Sequence, residues 1–198
     1  MVNKGKIYSY AIGDSLYLNL TNRCPNRCCF CIREFHDGVG AEPLWLEREP
    51  SAQEVLDSID DLSRYKEIVF CGFGEPLSRV DVVVELAKTL RPEGIPVRIN
   101  TNGLANLIHK RNIVPELAGL VDVISISLNA ENVEKYQELC QPVFGEKSYE
   151  ALLEFARECV KVIPKVIMTV VNKPEVDVPK SAEIAHGIGA EFRVRTFL

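Results

Sequence analysis

The sequence predicts an α/β fold, and a barrel-like one rather than a flat sheet covered on both sides. Three observations carry that expectation. Segments of strand and helix periodicity alternate along the chain, the strands recur roughly six times, and several strands keep polar residues on one face. Strands joined by helices pair in parallel through right-handed crossovers. A doubly covered sheet would read as nearly continuous apolar strands, whereas a recurring polar face suits a hydrophilic lumen with ligand held at the C-terminal strand ends. Six strands would leave such a barrel incomplete.

The stretch KIYSYAIGDSLYLNL reads as a β-hairpin turning at Gly13-Asp14, with Leu16, Leu18 and Leu20 on one face of its second strand and Tyr17, Asn19 and Thr21 on the other. SAQEVLDSIDDL opens with a capping box, Ser51 and Glu54. Its apolar residues Ala52, Val55, Leu56, Ile59 and Leu62 predict a helix through the whole segment. Strand EIVFCG follows, then a helix from Arg79 to Leu90, strand VRINTN, a helix near 113–120 and strand VDVISISLN. The rest reads as helices through 132–140 and 148–162, strand VIMTVV, a helix from Lys180 to His186, and strand EFRVRTF. In VDVISISLN, Ile124, Ile126 and Leu128 alternate with Ser125, Ser127 and Asn129. Arg98, Asn100 and Asn102 repeat the pattern in VRINTN, as do Arg193 and Arg195 in EFRVRTF.

With 198 residues, 46% hydrophobic and 26% charged, the chain should bury one substantial core, and residues 1–198 are read as a single domain. No apolar run approaches the ~20 residues needed to cross a bilayer. The N-terminus also lacks the pattern of a signal peptide, so a cytoplasmic protein without membrane contact is expected. In a reducing compartment seven cysteines, an odd number, argue for metal binding or catalysis rather than a disulfide framework. A net charge of −5 argues against a broad nucleic-acid-binding surface.

Four of those cysteines fall between Cys24 and Cys31, in TNRCPNRCCFCIRE. Cys24, Cys28 and Cys31 stand in the spacing Cys-x3-Cys-x2-Cys, with Phe30 directly before the last. Structural zinc commonly takes four ligands as two close pairs, and an electron-transfer cluster takes four thiolates. Three thiolates on a four-iron cluster leave one iron open, which is what catalysis requires. A zinc-stabilised binding module and an electron carrier remain as the non-catalytic alternatives. Cys29 reads as a bystander between two ligands, Cys140 as a helix end, and Cys159 as a packed thiol on an apolar helix face. Cys71, beside the next turn, keeps a direct part in the chemistry open.

Taken in order, YLNLTNRCPNRCCFCIRE, FCGFGEPLSR, RINTNGL, ISISLNA and AEFRVRTF resemble the motifs of the radical S-adenosylmethionine (SAM) superfamily, and more narrowly those of the small TatD-associated radical SAM proteins. The resemblance implies a partial (β/α)6 barrel and a [4Fe–4S] cluster on Cys24, Cys28 and Cys31, with SAM on the open iron. One-electron reduction, by a donor such as a flavodoxin or ferredoxin, would cleave SAM to a 5′-deoxyadenosyl radical that abstracts hydrogen from a substrate. The implied SAM contacts are Phe30, Gly74, Glu75, Asn102, Ser127, Asn129 and Arg195. Gly74 and Glu75 would hold the amino group, with Phe73 standing where the commoner Gly-Gly-Glu motif has its first glycine. Ser127 and Asn129 would meet the ribose or the methionine carboxylate.

Each implied contact has a plainer reading beside it. GFGEP can be a strand-to-helix turn whose glycines admit a ligand to the backbone, Ser127 and Asn129 can be polar lumen, and Asn102 and Arg195 can cap a turn or pair with a carboxylate. The basic run His109, Lys110, Arg111 is a candidate receiver of an anion, with a solvated face as the plainer reading, and Trp45 lies in the segment 32–50, a candidate lid, but reads first as a core aromatic. The sequence leaves the substrate open. A bulky substrate such as a protein segment fits an incomplete wall, and an activase acting on a partner protein is the other enzymatic reading.

Overall fold

The structure, a computed structural model, describes residues 5–39 and 42–196, so Phe197 at the end of the last expected strand lies outside the described residues. Strands β1 (Ser9–Ile12) and β2 (Ser15–Leu18) form the expected antiparallel hairpin around Gly13, whose φ of 60° is left-handed. From β2 the sheet runs on through β3 (Glu67–Phe70), β4 (Val97–Thr101), β5 (Val123–Ser127), β6 (Lys165–Val171) and β7 (Glu191–Arg195). Each of these is parallel to the one before it, and the order in space is the order in sequence. A doubly wound sheet reverses its order at one point. This sheet never does, so one face takes the crossover helices while the other is left to a cavity. The result is an α/β partial barrel that is not closed, with β1 and β7 as its two edges.

The crossovers are α1 (Ala52–Asp57), α2 (Val80–Leu90), α3 (Ala105–His109), α4 (Val114–Leu117), α5 (Val133–Cys140), α6 (Lys147–Val162) and α7 (Val178–Ile188). The apolar half of each strand packs on them: Ile68, Phe70, Val97, Ile99, Ile124 and Ile126 are fully buried in one cluster with Leu86, Leu117, Leu152 and Phe155. Cys159 is part of that cluster, as its place on the apolar face of α6 predicts. Full burial of each such side chain contributes ~1.5–3 kcal/mol, so this face alone holds the helices in place.

Three elements differ from the sequence reading, each for a local reason. The capping box of Ser51 and Glu54 forms, but α1 stops at Asp57 instead of reaching Leu62. Ser58 turns its backbone N–H to Val55 and Leu56 and its hydroxyl to Val55 O at 2.6 Å, while Asp61 caps a separate short turn over Leu62–Arg64. The helix near 113–120 shrinks to the single turn of α4, closed off by Gly119 at φ 73°. Helix α3, too short to show a period, has no counterpart in the sequence reading; the Asn102 side chain starts it by accepting from Leu104 N at 2.9 Å. Beyond the cysteines, Gly38–Val39 and Glu42–Pro43 make a two-residue antiparallel pair.

Candidate functional site

The unhelical face of the sheet encloses a cavity of about 400 Å³. Cys24, Cys28, Cys31, Phe30, Gly74, Glu75, Asn102, Ser127, Asn129 and Arg195 all line it, so the structure brings every one of the implied cluster and SAM residues to one place. Cys71, Arg98, Asn100, Ser125, Thr169 and Arg193 line it too, from the polar faces of β3 to β7. Cys29 is exposed and does not.

The cysteine segment has almost no regular structure of its own and is positioned by what it docks against. Arg27 N–H donates to Cys140 O and Cys29 N–H to Leu139 O, both at 2.9 Å. Those carbonyls close α5, where no partner exists within the helix. Val143 N–H returns the contact to Pro25 O at 2.9 Å, and the buried Asn26 donates Nδ2 to Tyr136 Oη at 3.1 Å. On the other flank Glu75 N–H donates to Arg23 O at 2.8 Å. A Cβ built on Gly74 would lie 2.4 Å from Thr21 O and 2.6 Å from Arg23 O, and one on Gly72 would lie 2.1 Å from Asn19 Oδ1. Gly74 is therefore required by the approach of the cysteine segment and Gly72 by the Asn19 side chain, while both also line the cavity. Phe73, between them, is buried in a small separate cluster with Tyr10 and Leu44, its ring edge-on to Trp45 at 5.1 Å. Trp45 thus packs beneath the turn rather than serving as a lid.

Burial pushes the Cys24 thiol up to about 12, helped by the nearby Glu75 carboxylate, and pushes Cys31 up as well. Cys28 is raised first by a hydrogen bond with the thiol of Cys140 and then by burial. Thiols so raised are protonated near neutral pH, and a metal taken up there must displace the protons. Cys140, read from sequence as a mere helix end, is the neighbour that sequence reasoning missed. Its sulfur also receives Asn129 Nδ2 at 3.4 Å, while Asn129 Oδ1 accepts from Arg195 Nη2 at 3.1 Å, so a polar chain runs from Cys28 to the last strand. Nothing in the local sequence signals it, because Cys140 meets Cys28 only through the docking of the loop on α5. Among the described residues no three His, Cys, Asp or Glu side chains close around a single metal ion.

Glu75 is 3% exposed, and burial raises its carboxyl to about 7 against three hydrogen bonds. Oε1 accepts from Leu77 N at 3.0 Å and Thr101 Oγ1 at 2.7 Å, and Oε2 from Asn102 N at 2.7 Å. A carboxylate offers about four acceptor sites, so the one remaining on Oε2 can take a cation. Asn102 caps its own turn and also points Nδ2 at Cys24 Sγ, 3.7 Å away. The Ser127 hydroxyl has no hydrogen-bond partner among the described residues and lies on the cavity wall. The basic run is elsewhere: His109 Nε2 meets Leu77 O at 2.8 Å and Arg111 pairs with Glu116, neither of them on the cavity.

The sequence profile described as the Radical SAM superfamily matches residues 18–183. The chain belongs to the radical SAM superfamily. Among similar curated proteins, a probable GTP 3',8-cyclase of Thermococcus kodakarensis is 31% identical over 165 residues, covering 80% of this chain and 48% of the relative. This radical SAM chain therefore spans about half the length of the curated relatives it matches. Among solved structures, Streptococcus suis SuiB superposes with a TM-score of 0.59 over 89% of this chain and 38% of SuiB. Methylornithine synthase superposes with 0.58 over 93% of this chain and 53% of the synthase. At 16% identity both likenesses speak for the fold alone. Membership of the radical SAM superfamily implies a [4Fe–4S] cluster and SAM. Among the described residues no helix is long and apolar enough to cross a membrane.

Proposed function

We propose that this chain is the catalytic core of a cytoplasmic radical SAM enzyme, a single domain akin to the TatD-associated group, in which Cys24, Cys28 and Cys31 hold a [4Fe–4S] cluster. The observation that carries the reading is the convergence of these thiols and the polar strand faces on one cavity. One compact group of three thiols without a second pair would suit a four-iron cluster with one open iron better than structural zinc. When bound and reduced by a donor of the flavodoxin or ferredoxin kind, the cluster supplies the electron that splits SAM to methionine and a 5′-deoxyadenosyl radical, the hydrogen abstractor.

The chain's own residues bind and orient. The free acceptor site of Glu75 takes the ammonium of SAM, with Gly74 keeping that turn against the cysteine segment. Arg195, steadied by Asn129, takes the carboxylate, and Ser127 reaches the ribose; Phe30 gives an apolar wall beside Cys31. Asn102 aims an N–H at Cys24, a contact that steadies a thiolate and lowers its basicity. Anaerobically purified protein should be brown and should release 5′-deoxyadenosine on addition of dithionite and SAM. Colourless protein with one zinc, or brown protein indifferent to SAM, would refute the proposal.

A pH dependence follows from Glu75. Its folded value of about 7 lies above the ordinary 4.5, so the native state holds the extra proton between these values and stability falls as pH rises through that window. The ammonium of SAM needs the ionised form. SAM should therefore bind more tightly as pH rises towards 7, releasing a proton, and level off above it. Glu75→Gln should abolish this slope and cost about 1–3 kcal/mol of affinity, the range for a hydrogen bond to a charged group. SAM titrations followed by the cluster's electron paramagnetic resonance spectrum on either side of neutrality check both; a flat profile in the unsubstituted protein would remove Glu75 from the SAM site.

A further inference from the structure

Three arginines line the cavity wall; two of them are held by hydrogen bonds to other side chains, and the third, Arg193, is solvent-exposed at its edge. Arg98 is gripped by both oxygens of Glu67, at 3.0 and 2.8 Å. Arg195 is tied to Asn129. Arg193 lines the same cavity, yet among the described residues its side chain has neither an ion pair nor a hydrogen bond. Its place is set by the sheet: it shares a face of β7 with Arg195, and in register it stands beside Thr169 of β6, which stands beside Ser127 of β5. Charged side chains on an edge strand also discourage edge-to-edge pairing. Here, however, both arginines face the lumen while Phe192 and Val194 take the other side, and the protein around them carries a net charge of −5.

The proposed placement of SAM does not use Arg193, and the role of this residue rests on that placement. The ammonium of SAM falls to Glu75, its carboxylate to Arg195, and its sulfonium to the net negative charge of a thiolate-ligated cluster. One guanidinium is left over, on the residue that pairs in register with Thr169. We infer that Arg193 anchors an oxyanion of the substrate, a carboxylate or a phosphate, so that the substrate class is anionic. The planar guanidinium offers two parallel N–H donors to such a group, a geometry that fixes orientation as well as charge. Anchored there, the substrate lies along the lumen, with its reacting carbon further towards the cysteines.

Calorimetric titration of reconstituted, SAM-loaded protein with pyrophosphate and, separately, with succinate tests this. At least one anion should bind saturably, and which one does so tells phosphate from carboxylate. Arg193→Gln should weaken that binding at least tenfold and Arg193→Lys by less. Arg157→Gln, on α6 and paired with Glu150 away from the cavity, should leave it unchanged. Thermal midpoints show whether each variant is folded. The inference is overturned by no saturable binding of either anion, by unaltered binding in Arg193→Gln, or by anion binding that SAM abolishes, the last of which would give Arg193 to the carboxylate of SAM. Iron content and 5′-deoxyadenosine release are read on the same preparation. Protein that loads iron and cleaves SAM but ignores both anions loses this inference alone; protein that does neither loses the proposed function and this inference with it.

Discussion

Replacing Cys24, Cys28 or Cys31 singly by alanine is expected to remove most of the iron and all SAM cleavage, because a cluster held at two corners is labile and out of place. The docking contacts of the loop make the experiment clean. Arg27, Cys29 and Val143 bond through the backbone, and Asn26 through its own side chain, so truncating a thiol leaves the loop where it is. Cys29→Ala should keep both iron and activity, since that side chain is exposed. The demanding control is Cys140→Ala. Its sulfur lies beside Cys28 and receives Asn129 Nδ2, which puts a further thiol in direct contact with an assigned ligand. Iron per chain and the yield of 5′-deoxyadenosine measure the outcome. If Cys140→Ala lost the iron and Cys28→Ala kept it, the ligand assignment would be wrong.

Gly74→Ala should be nearly as damaging, through sterics rather than chemistry. The added methyl would sit 2.4 to 2.9 Å from three backbone atoms of Thr21 and Arg23, and backbone cannot swing aside as the end of a side chain can. Relief requires the turn and the cysteine segment to part, which breaks the bond from Glu75 N–H to Arg23 O and carries Cys24 away from its partners. Overpacking of this kind costs about 1–3 kcal/mol. The expected result is a lowered thermal midpoint together with iron content well below that of the unsubstituted protein. Gly187→Ala, on α7 with open space around the added methyl, is the matched control and should be neutral or stabilising by up to ~1 kcal/mol. Full iron loading in Gly74→Ala would show that the segment tolerates the separation.

The strand faces were legible because alternation reports directly which side of a sheet meets apolar neighbours. Ile124, Ile126 and Leu128 are fully buried while Ser125, Ser127 and Asn129 reach the cavity, and β4 divides Val97 and Ile99 from Arg98 and Asn100 in the same way. What alternation does not report is the identity of the atom opposite. A glycine beside a carboxylate suggests a ligand, but that Gly74 is also demanded by backbone about fifty residues earlier in the chain could not be read from the segment. Cys140 offered only its position at a helix end. Helices α1 and α4 were overestimated for a related reason: the apolar period continues through Ile59 and Leu62, which still pack on the core, but Ser58 and Asp61 divert the backbone bonds a helix would need.

The docking of the cysteine segment on α5 also bears on maturation. In a zinc finger the metal organises the chain, and without it there is no fold. Here Arg27 and Cys29 give their amides to carbonyls that a finished helix leaves spare, contacts in which no thiol takes part, so the segment is expected to keep its place on α5 whether or not a cluster is bound. On the proposed function, delivery of a cluster would then be limited by its donor and by loss of the thiol protons rather than by folding of the segment. Amide hydrogen exchange in iron-free protein should accordingly find Arg27 and Cys29 as protected as the body of α5, and rapid exchange at both would mean that the metal shapes its own site after all.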